Sequence, residues 1–288
     1  MKFSFLFLLL LSTTTWARWS VTTYNIRNFD DDSGAGPTNI QELAKVIRNV
    51  QSDVMAFEEV VDVPEFERLI KSVLPGYEIV LSTCGGFGKQ NLGVVYNPRV
   101  FKFLSKNEDR SFTGGNSGAC GNLRPVMLVG LEHIQSRVPF VFGVVHLKAG
   151  SDERSVAVRW QQYEMLKRLS KALERQNLIL LGDFNTTGYI SKNEDYVRFE
   201  DFLSSSRLRA ATENIACTNY WQGTLGGPEF QPSILDHVIL QDRHVSQIEM
   251  VGVAAHCAKR QCRPSLPQDL GATFQSVSDH CPVKVSFK

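Results

Sequence analysis

The sequence predicts an α/β fold in which two mixed β-sheets pack on each other with helices outside. Three observations lead there. Strand-like runs are interrupted by helical periodicity at only two or three places, a pattern that calls for mixed sheets. Several runs, VFGVV and LILL among them, are apolar at nearly every position, as strands buried on both faces are. The chain has 288 residues, 43% hydrophobic and 21% charged, an ordinary globular composition able to bury a large core. No linker, repeat or low-complexity block divides it, so it reads as one domain.

The first residues stand outside that fold. Lys2 gives a positive start, Phe3 to Leu11 is an apolar run of nine residues, and Thr15 and Ala17 are small. The run is too short to span a bilayer. Residues 1–17 read as a secretory signal cleaved near Ala17, leaving 18–288 as a secreted or periplasmic domain with no membrane span.

The elements follow in order. WSVTTYNI is a β-branched and aromatic strand running from Trp19 to Tyr24 and ending at Asn25. Thr38 and Gln41 resemble a capping box opening a helix with Ile40, Leu43, Ala44 and Ile47 on one face. DVMAFEEV is a short strand ending at Glu58 and Glu59, and Pro64 to Leu74 is helical. YEIVLS, NLGVVYN, FKFL, PVMLVGL and VPFVFGVVH are successive strands. A long helix runs from Ser155 to Arg175, with Trp160, Tyr163, Leu166, Leu169 and Leu173 facing the core. LILLGDFN, ILDHVIL and CPVKVSF are late strands, the last alternating Val283, Val285 and Phe287 with polar residues. Gly114 to Gly121 and Gly223 to Pro228 read as surface loops.

Six cysteines in an exported chain allow disulfides, among fifteen possible pairings. Cys257 and Cys262 enclose a short loop and are expected to pair, as are Cys84 and Cys120, which leaves Cys217 with Cys281. No CxxC or His-x₃₋₅-His spacing points to zinc. The formal net charge of +1 excludes a global basic field, so a polyanion would have to be held by local Arg and Lys.

The strand ends carry the functional signal. Strands stop at Asn25, at Glu58 and Glu59, at His146, and at Asp183 and Asn185; Asp236 and the pair Asp279 and His280 precede the late strands. If the late strands run opposite to the others, all six clusters meet on one rim. Hard oxygens such as Glu59, Asn25 and Asp279 suit Mg²⁺, Mn²⁺ or Ca²⁺, and a divalent ion with two histidines suits phosphoester hydrolysis. Arg124 and Lys148 are available to hold phosphate.

These residues resemble the endonuclease/exonuclease/phosphatase superfamily and, within it, the deoxyribonuclease I-like branch. The resemblance rests on TYNIRNF, DVMAFEEV, LRPVMLV, VVHLKAGSDERSVAVRWQQYEML, GDFN, ILDHVIL and VSDHCPVKVSF, in that order. It implies a four-layer α/β sandwich, a divalent cation, Mg²⁺ first with Mn²⁺ or Ca²⁺ as substitute or addition, and in-line attack of water on a phosphodiester. It further implies that Asn25, Glu59 and Asp279 bind the metal and that Asp183 or His280 activates water, with Asp236 orienting His280. Asn185 and Arg124 would contact the phosphate, and His146 would protonate the leaving oxygen or hold phosphate. Three departures stand out. Glu58 replaces the usual Gln before Glu59 and is expected to face solvent; Arg27 follows Asn25 by two, where some DNA-repair relatives carry an acid, which argues against abasic-site repair; and Glu78, in YEIVLS, is the candidate for the glutamate that partners the first histidine, on order alone.

Other conspicuous residues read as structural. His133, His244 and His256 are expected on the surface, His237 turned away from Asp236, and Tyr220 and Trp221 in packing. The function that emerges is an exported, monomeric nuclease of low sequence preference that grips the DNA backbone. The alternative is a secreted, sphingomyelinase-like phosphodiesterase or phosphatase on lipids or small phosphoesters. A binding protein that has lost its chemistry fits poorly with the intact motif set.

Overall fold

The computed structural model describes residues 18–30, 37–116, 118–222 and 227–288. The signal-peptide reading of residues 1–17 lies outside them. The first half contains β1 (Trp19–Phe29), α1 (Ile40–Val50), β2 (Val54–Val60), α2 (Val63–Val73), β3 (Glu78–Leu81), β4 (Asn91–Tyr96), β5 (Phe101–Asp109), β6 (Val126–His133) and β7 (Val138–His146). There follow α3 (Glu153–Ala172), β8 (Asn177–Asp183), α4 (Glu194–Ser205), β9 (Leu208–Ala210), β10 (Asn219–Gln222), β11 (Phe230–Ser233) and β12 (Asp236–Gln241). The chain closes with β13 (Ile248–Val253), α5 (Ala255–Arg260), α6 (Pro267–Ser276) and β14 (Val283–Phe287).

Two six-stranded sheets result, ordered β13-β14-β1-β2-β4-β3 and β5-β6-β7-β8-β12-β9, with β10 and β11 as a separate hairpin. Side-chain alternation along the strands builds three layers of core. Val54 and Ala56 of β2 join Val144, Leu181, Val238 and Val283 between the sheets. Met55 and Phe57 of the same strand pack instead against Leu43, Ile47, Phe66 and Ile70 of α1 and α2. On the far side, Leu178 and Leu180 of β8 pack against Tyr163 and Leu166 of α3 and Phe199 and Phe202 of α4. Helices, two packed sheets and helices make the four-layer deoxyribonuclease I-like sandwich.

The helix starts are fixed by short polar caps, each satisfying a backbone N–H that the helix leaves unpaired. Asn39 rather than Thr38 caps α1, accepting from Glu42 N at 3.0 Å, while Thr38 Oγ1 accepts from Asp30 N. Asp62, Asp152 and Asn193 do the same for α2, α3 and α4.

Strand direction brings the polar ends together. β1 and β2 run parallel and β14 antiparallel to β1; β7 and β8 run parallel and β12 antiparallel to β8. The late strands therefore begin where the others end. β1 extends beyond Asn25 to Phe29 through an irregular stretch in which Arg27 and Asn28 have positive φ.

Only one expected disulfide forms, Cys84–Cys120. The others are Cys217–Cys262 and Cys257–Cys281. Cys257 lies in α5, whereas Cys262 lies beyond its end, after a left-handed turn at Gln261 and Cys262 itself that carries its sulfur to Cys217. Each pairs instead with a distant segment, beneath a small cluster that includes Tyr220, Leu270 and Phe274.

The three histidines expected on the surface are buried. Each turns its ring onto aromatic neighbours and spends one nitrogen on a local partner: His133 on Ser136 Oγ, His244 on Asn177 Oδ1 and His256 on the Asp279 carbonyl. His237 does turn away from Asp236; it packs on Phe184 and Phe199 and meets Thr212 Oγ1 at 2.7 Å. Tyr220 is buried, with its hydroxyl donating to the Arg263 carbonyl, whereas Trp221 is exposed.

Candidate active site

β7, β8 and β12 lie side by side in the second sheet. The parallel register sets His146 opposite Asp183, and the antiparallel register sets Asp236 opposite Asp183. Gly182 makes the first pairing possible: at φ +136° any Cβ would overlap the Val145 carbonyl oxygen. The first sheet supplies Asn25 from β1, Glu59 from β2 and His280 just before β14. The candidate centre thus spans the seam between the sheets at one end of their shared core.

Three links cross the seam. The Asn25 amide nitrogen donates to Glu59 Oε1 at 3.0 Å and to Asp183 Oδ2 at 3.1 Å. His146 Nε2 stands 3.5 Å from Glu59 Oε1 and 3.6 Å from Asp183 Oδ2. His280 Nδ1 bonds both Asp236 oxygens at 3.0 and 2.9 Å and directs Nε2 to Asp183 Oδ2, 3.8 Å away. Behind them Ser278 Oγ donates to the Asn25 carbonyl and accepts from His280 N, pinning the last strand to the first.

Left-handed backbone clusters here. Glu59, Asn28 and Asn185 have φ of +66°, +46° and +51°. For residues with a Cβ this conformation is unfavourable and persists only where surrounding bonds enforce it. Asn28 N donates to Glu59 Oε2 at 2.8 Å, and Asn185 N donates to Asp183 Oδ1 at 2.8 Å. The strained turns aim both carboxylates at the seam.

Glu58 corrects the expectation that it faces solvent. It is fully buried, accepting from Thr23 Oγ1 at 2.8 Å, with its second oxygen unpartnered among the described residues. Alternation explains this: Val54, Ala56 and Glu58 share the face turned to the other sheet. Burial, with Asp236 nearby, holds its carboxyl well above the usual range, so it sits protonated behind the centre.

The two histidines are held in opposite states. Burial, with Arg124 and His280 nearby, pushes His146 well below the ordinary imidazole value. Burial acts the same way on His280, but the Asp236 and Asp183 carboxylates overcome it and hold the ring protonated. Burial raises Asp183; His280 opposes the shift and Asp236 adds to it.

The remaining expected residues are on the same rim with different partners. Arg124 donates to the His146 and Leu147 carbonyls at 3.1 and 2.7 Å, so most of its guanidinium anchors the loop after β7. Asn185 Nδ2 donates to the same Leu147 carbonyl. Asp279 is half-exposed, its nearest cation Arg27 Nη1 at 4.0 Å, and no hydrogen bond joins it to Asn25 or Glu59 among the described residues. Lys148 Nζ folds back onto the Ala149 carbonyl. Glu78 is not a partner for His146: it is exposed at the start of β3, the edge strand of the other sheet, opposite Tyr96. His146 Nδ1 is buried without a partner among the described residues.

Sequence reasoning missed Arg159. It is the largest fully buried side chain, and its guanidinium grips Asp195 Oδ2 from Nε at 3.0 Å and from Nη2 at 2.6 Å. It also donates to the Lys148 and Gly150 carbonyls, while Asp195 accepts from Thr187 N and Trp160 Nε1. One ion pair thus ties α3 and α4 to the two loops that follow His146 and Asn185. The signal was available, since Arg159 falls on the same helix face as Tyr163 and Leu166.

Four carboxyl groups besides the protonated Glu58, those of Glu59, Asp183, Asp236 and Asp279, gather around one histidinium and two arginines. Asp183, Asp236 and His280 offer ligand atoms within 4.8 Å of one another. Because His280 already serves as cation to Asp236, the open charge deficit lies toward Glu59. Hard carboxylate oxygens beside that deficit suit a divalent cation; Asn25 turns its amide nitrogen to Glu59 and Asp183 here, while its Oδ1 accepts from Arg27 N at 2.9 Å.

A family model described as the Endonuclease/Exonuclease/phosphatase family matches residues 22–280. Among solved structures, a family protein from Bacteroides thetaiotaomicron is 19% identical, with a TM-score of 0.65 over 93% of this chain and 97% of its own. TDP2 of D. rerio, solved with a single-strand DNA product, is 14% identical, with a TM-score of 0.65 over 94% and 99%. The human Nocturnin catalytic domain, solved with a bound sulfate, is 18% identical, with a TM-score of 0.60 over 94% of each chain. Comparison with curated protein sequences gives no match.

Proposed function

Because this chain belongs to the endonuclease/exonuclease/phosphatase family, we propose that it is an exported, divalent-metal-dependent nuclease that hydrolyses DNA phosphodiester bonds with little regard to sequence. The observation that carries this reading is the meeting of Asn25, Glu59, His146, Asp183, Asp236 and His280 across one seam.

A Mg²⁺ ion held by Glu59, Asn25 and Asp279 would offset charge developing on the phosphate. Asp183 is the base we assign to the attacking water: its Oδ2 lies at the middle of the cluster, facing Asn25, His146 and His280. His280, made cationic by Asp236, faces the phosphate as a charged hydrogen-bond donor. His146, neutral and walled in, orients Asp183 and Glu59 more readily than it releases a proton. Asn185 and the free edge of the Arg124 guanidinium complete the phosphate contacts. Three disulfides in the described residues suit export, and no described helix is long and apolar enough to cross a membrane.

One feature of the rim bears on the lipid alternative. Phe87 is 90% exposed, on a loop clamped by Cys84–Cys120 and fixed by Phe87 N to the Asn122 carbonyl and by Gln90 Nε2 to Asn28 Oδ1. A single rigid aromatic suits stacking on a base; membrane docking calls for a larger apolar patch.

The purified protein is expected to nick supercoiled plasmid in Mg²⁺, to stop in EDTA, and to leave sphingomyelin intact. Release of phosphocholine from sphingomyelin without any nicking would replace this reading with the lipid one.

A further inference from the structure

A second charged site lies at the opposite end of the same sheet. β12 begins at Asp236 in the candidate centre and ends at Gln241, roughly 17 Å away at extended-strand rise. There the C-terminal half of α3, the turn after α4 and the end of β12 enclose an open cleft of about 790 Å³. Its walls carry Lys167, Arg168, Lys171, Arg175, Arg207 and Arg243, against only Glu174 and Asp242. A chain with a formal net charge of +1 thus concentrates six cations in one cleft.

Local structural needs account for three of the six, Lys171 among them as the cation in the last turn of α3. Lys167 bridges Glu164 and Asp201, and Arg243 donates to the Glu174 and Gln176 carbonyls where α3 runs out. Arg168, Lys171, Arg175 and Arg207 are exposed and pair with no carboxylate among the described residues. Like charges packed this closely repel one another, which costs stability unless an anion offsets them.

The floor of the cleft points to a ligand independently. Ser170, which lines the cleft, is 4% exposed, and its Oγ has no hydrogen-bond partner among the described residues. Ser206 Oγ, also on the cleft wall, is equally unpartnered. Buried polar atoms are normally satisfied, and the two hydroxyls are O–H donors of the kind a phosphate oxygen accepts.

We propose that this cleft is an exosite for the phosphodiester backbone of a nucleic acid, separate from the centre that cleaves it. The choice of polyanion rests on the nuclease reading above; the presence of an anion site does not. The candidate centre is itself crowded with carboxylates; Arg124 spends Nε and Nη2 on carbonyls, leaving one edge for phosphate, and Arg27 stands beside Asp279. The cleft supplies the electrostatic grip that the centre lacks and would keep a long polymer near the protein between cuts. It carries no base-reading geometry, so the grip is independent of sequence.

The test uses the full chain in a His280→Ala background with Mg²⁺, titrated with a fluorescent single-stranded 30-mer, more than long enough to reach from one end to the other. Charge reversal at Lys171→Glu with Arg175→Glu is expected to weaken binding at least about tenfold and to lower the salt slope by about 1.4, for two phosphate contacts at roughly 0.7 each. In the active background the same pair should slow plasmid nicking several-fold and leave hydrolysis of bis(p-nitrophenyl) phosphate unchanged. Lys171→Gln with Arg175→Gln provides a milder variant should the reversal perturb folding, and thermal unfolding reports on both. Unchanged DNA affinity and salt slope in folded variants would overturn the exosite. Binding of heparin but not of DNA through the same residues would overturn the nucleic-acid assignment while leaving an anion site. DNA binding lost with the cleft in a protein that never nicks plasmid would sustain the exosite and refute the nuclease reading.

Discussion

At the scale of single residues, His146 and His280 face the same carboxylate yet are tuned apart, one emptied by burial and the other charged by Asp236. Replacing His280 with Ala is expected to lower kcat on plasmid at least about a hundredfold if it donates to the phosphate. Asp236→Asn should approach the same loss while keeping the shape of the site, and a rate close to wild type in both would remove the pair from the chemistry. His237 offers a contrasting case. It is buried, and desolvation pushes its pKa down to about 3 from an ordinary 6.5. Above pH 6.5 neither folded nor unfolded chain protonates it. Between pH 6.5 and about 3 only the unfolded chain takes up the proton, so stability falls as pH falls, by about 1.4 kcal/mol per unit for this one ring. Urea unfolding at pH 7, 5 and 4 should show a shallower decline for His237→Gln, which keeps a partner for Thr212. Equal slopes in the two proteins would mean that some other group sets the acid limit.

At the scale of elements, the Arg159–Asp195 pair is the joint on which two loops hang. Removing one partner strands a buried charge, so Arg159→Met is expected to cost about 3–5 kcal/mol in urea unfolding. The double replacement Arg159→Met with Asp195→Leu should recover much of that stability and little of the activity, since the Lys148 and Gly150 carbonyls lose their donor in both. Recovery of activity along with stability would reduce the pair to a packing device. How far elements could be read from sequence followed from how local their causes are. The strands β1, β2, β4, β7, β8 and β14 and the helices α1 to α3 announce themselves through apolar spacing, and their polar ends foretold the rim. α4 was overlooked because its core face is only Phe199, Phe202 and Leu203 amid acids. β9, the β10–β11 hairpin and α5 are too short for any period to show. The burial of Glu58 was legible in principle, since it shares parity with Val54 and Ala56, but its charge argued the other way. The disulfide partners of Cys257 and Cys262 depend on contacts between segments far apart in sequence, which no local pattern encodes.

At the scale of the whole molecule, the Cys257–Cys281 bridge closes a loop of 24 residues immediately beside His280. In the chain-entropy picture a loop of that size is worth about 3 kcal/mol. A Cys257→Ser, Cys281→Ser variant should therefore melt several degrees lower and lose nicking activity at temperatures where the bulk of the fold survives; parallel thermal profiles for activity and circular dichroism would contradict that order. The arrangement of the centre extends this. Asn25, Glu59 and His280 belong to one sheet, and His146, Asp183 and Asp236 to the other, so neither half of the sandwich owns a working set of groups. Turnover is in effect a proximity sensor for the closing of the two sheets: during refolding it should return only with the slowest kinetic phase, after β13 and β14 from the chain's end have joined β1 and brought His280 to the seam.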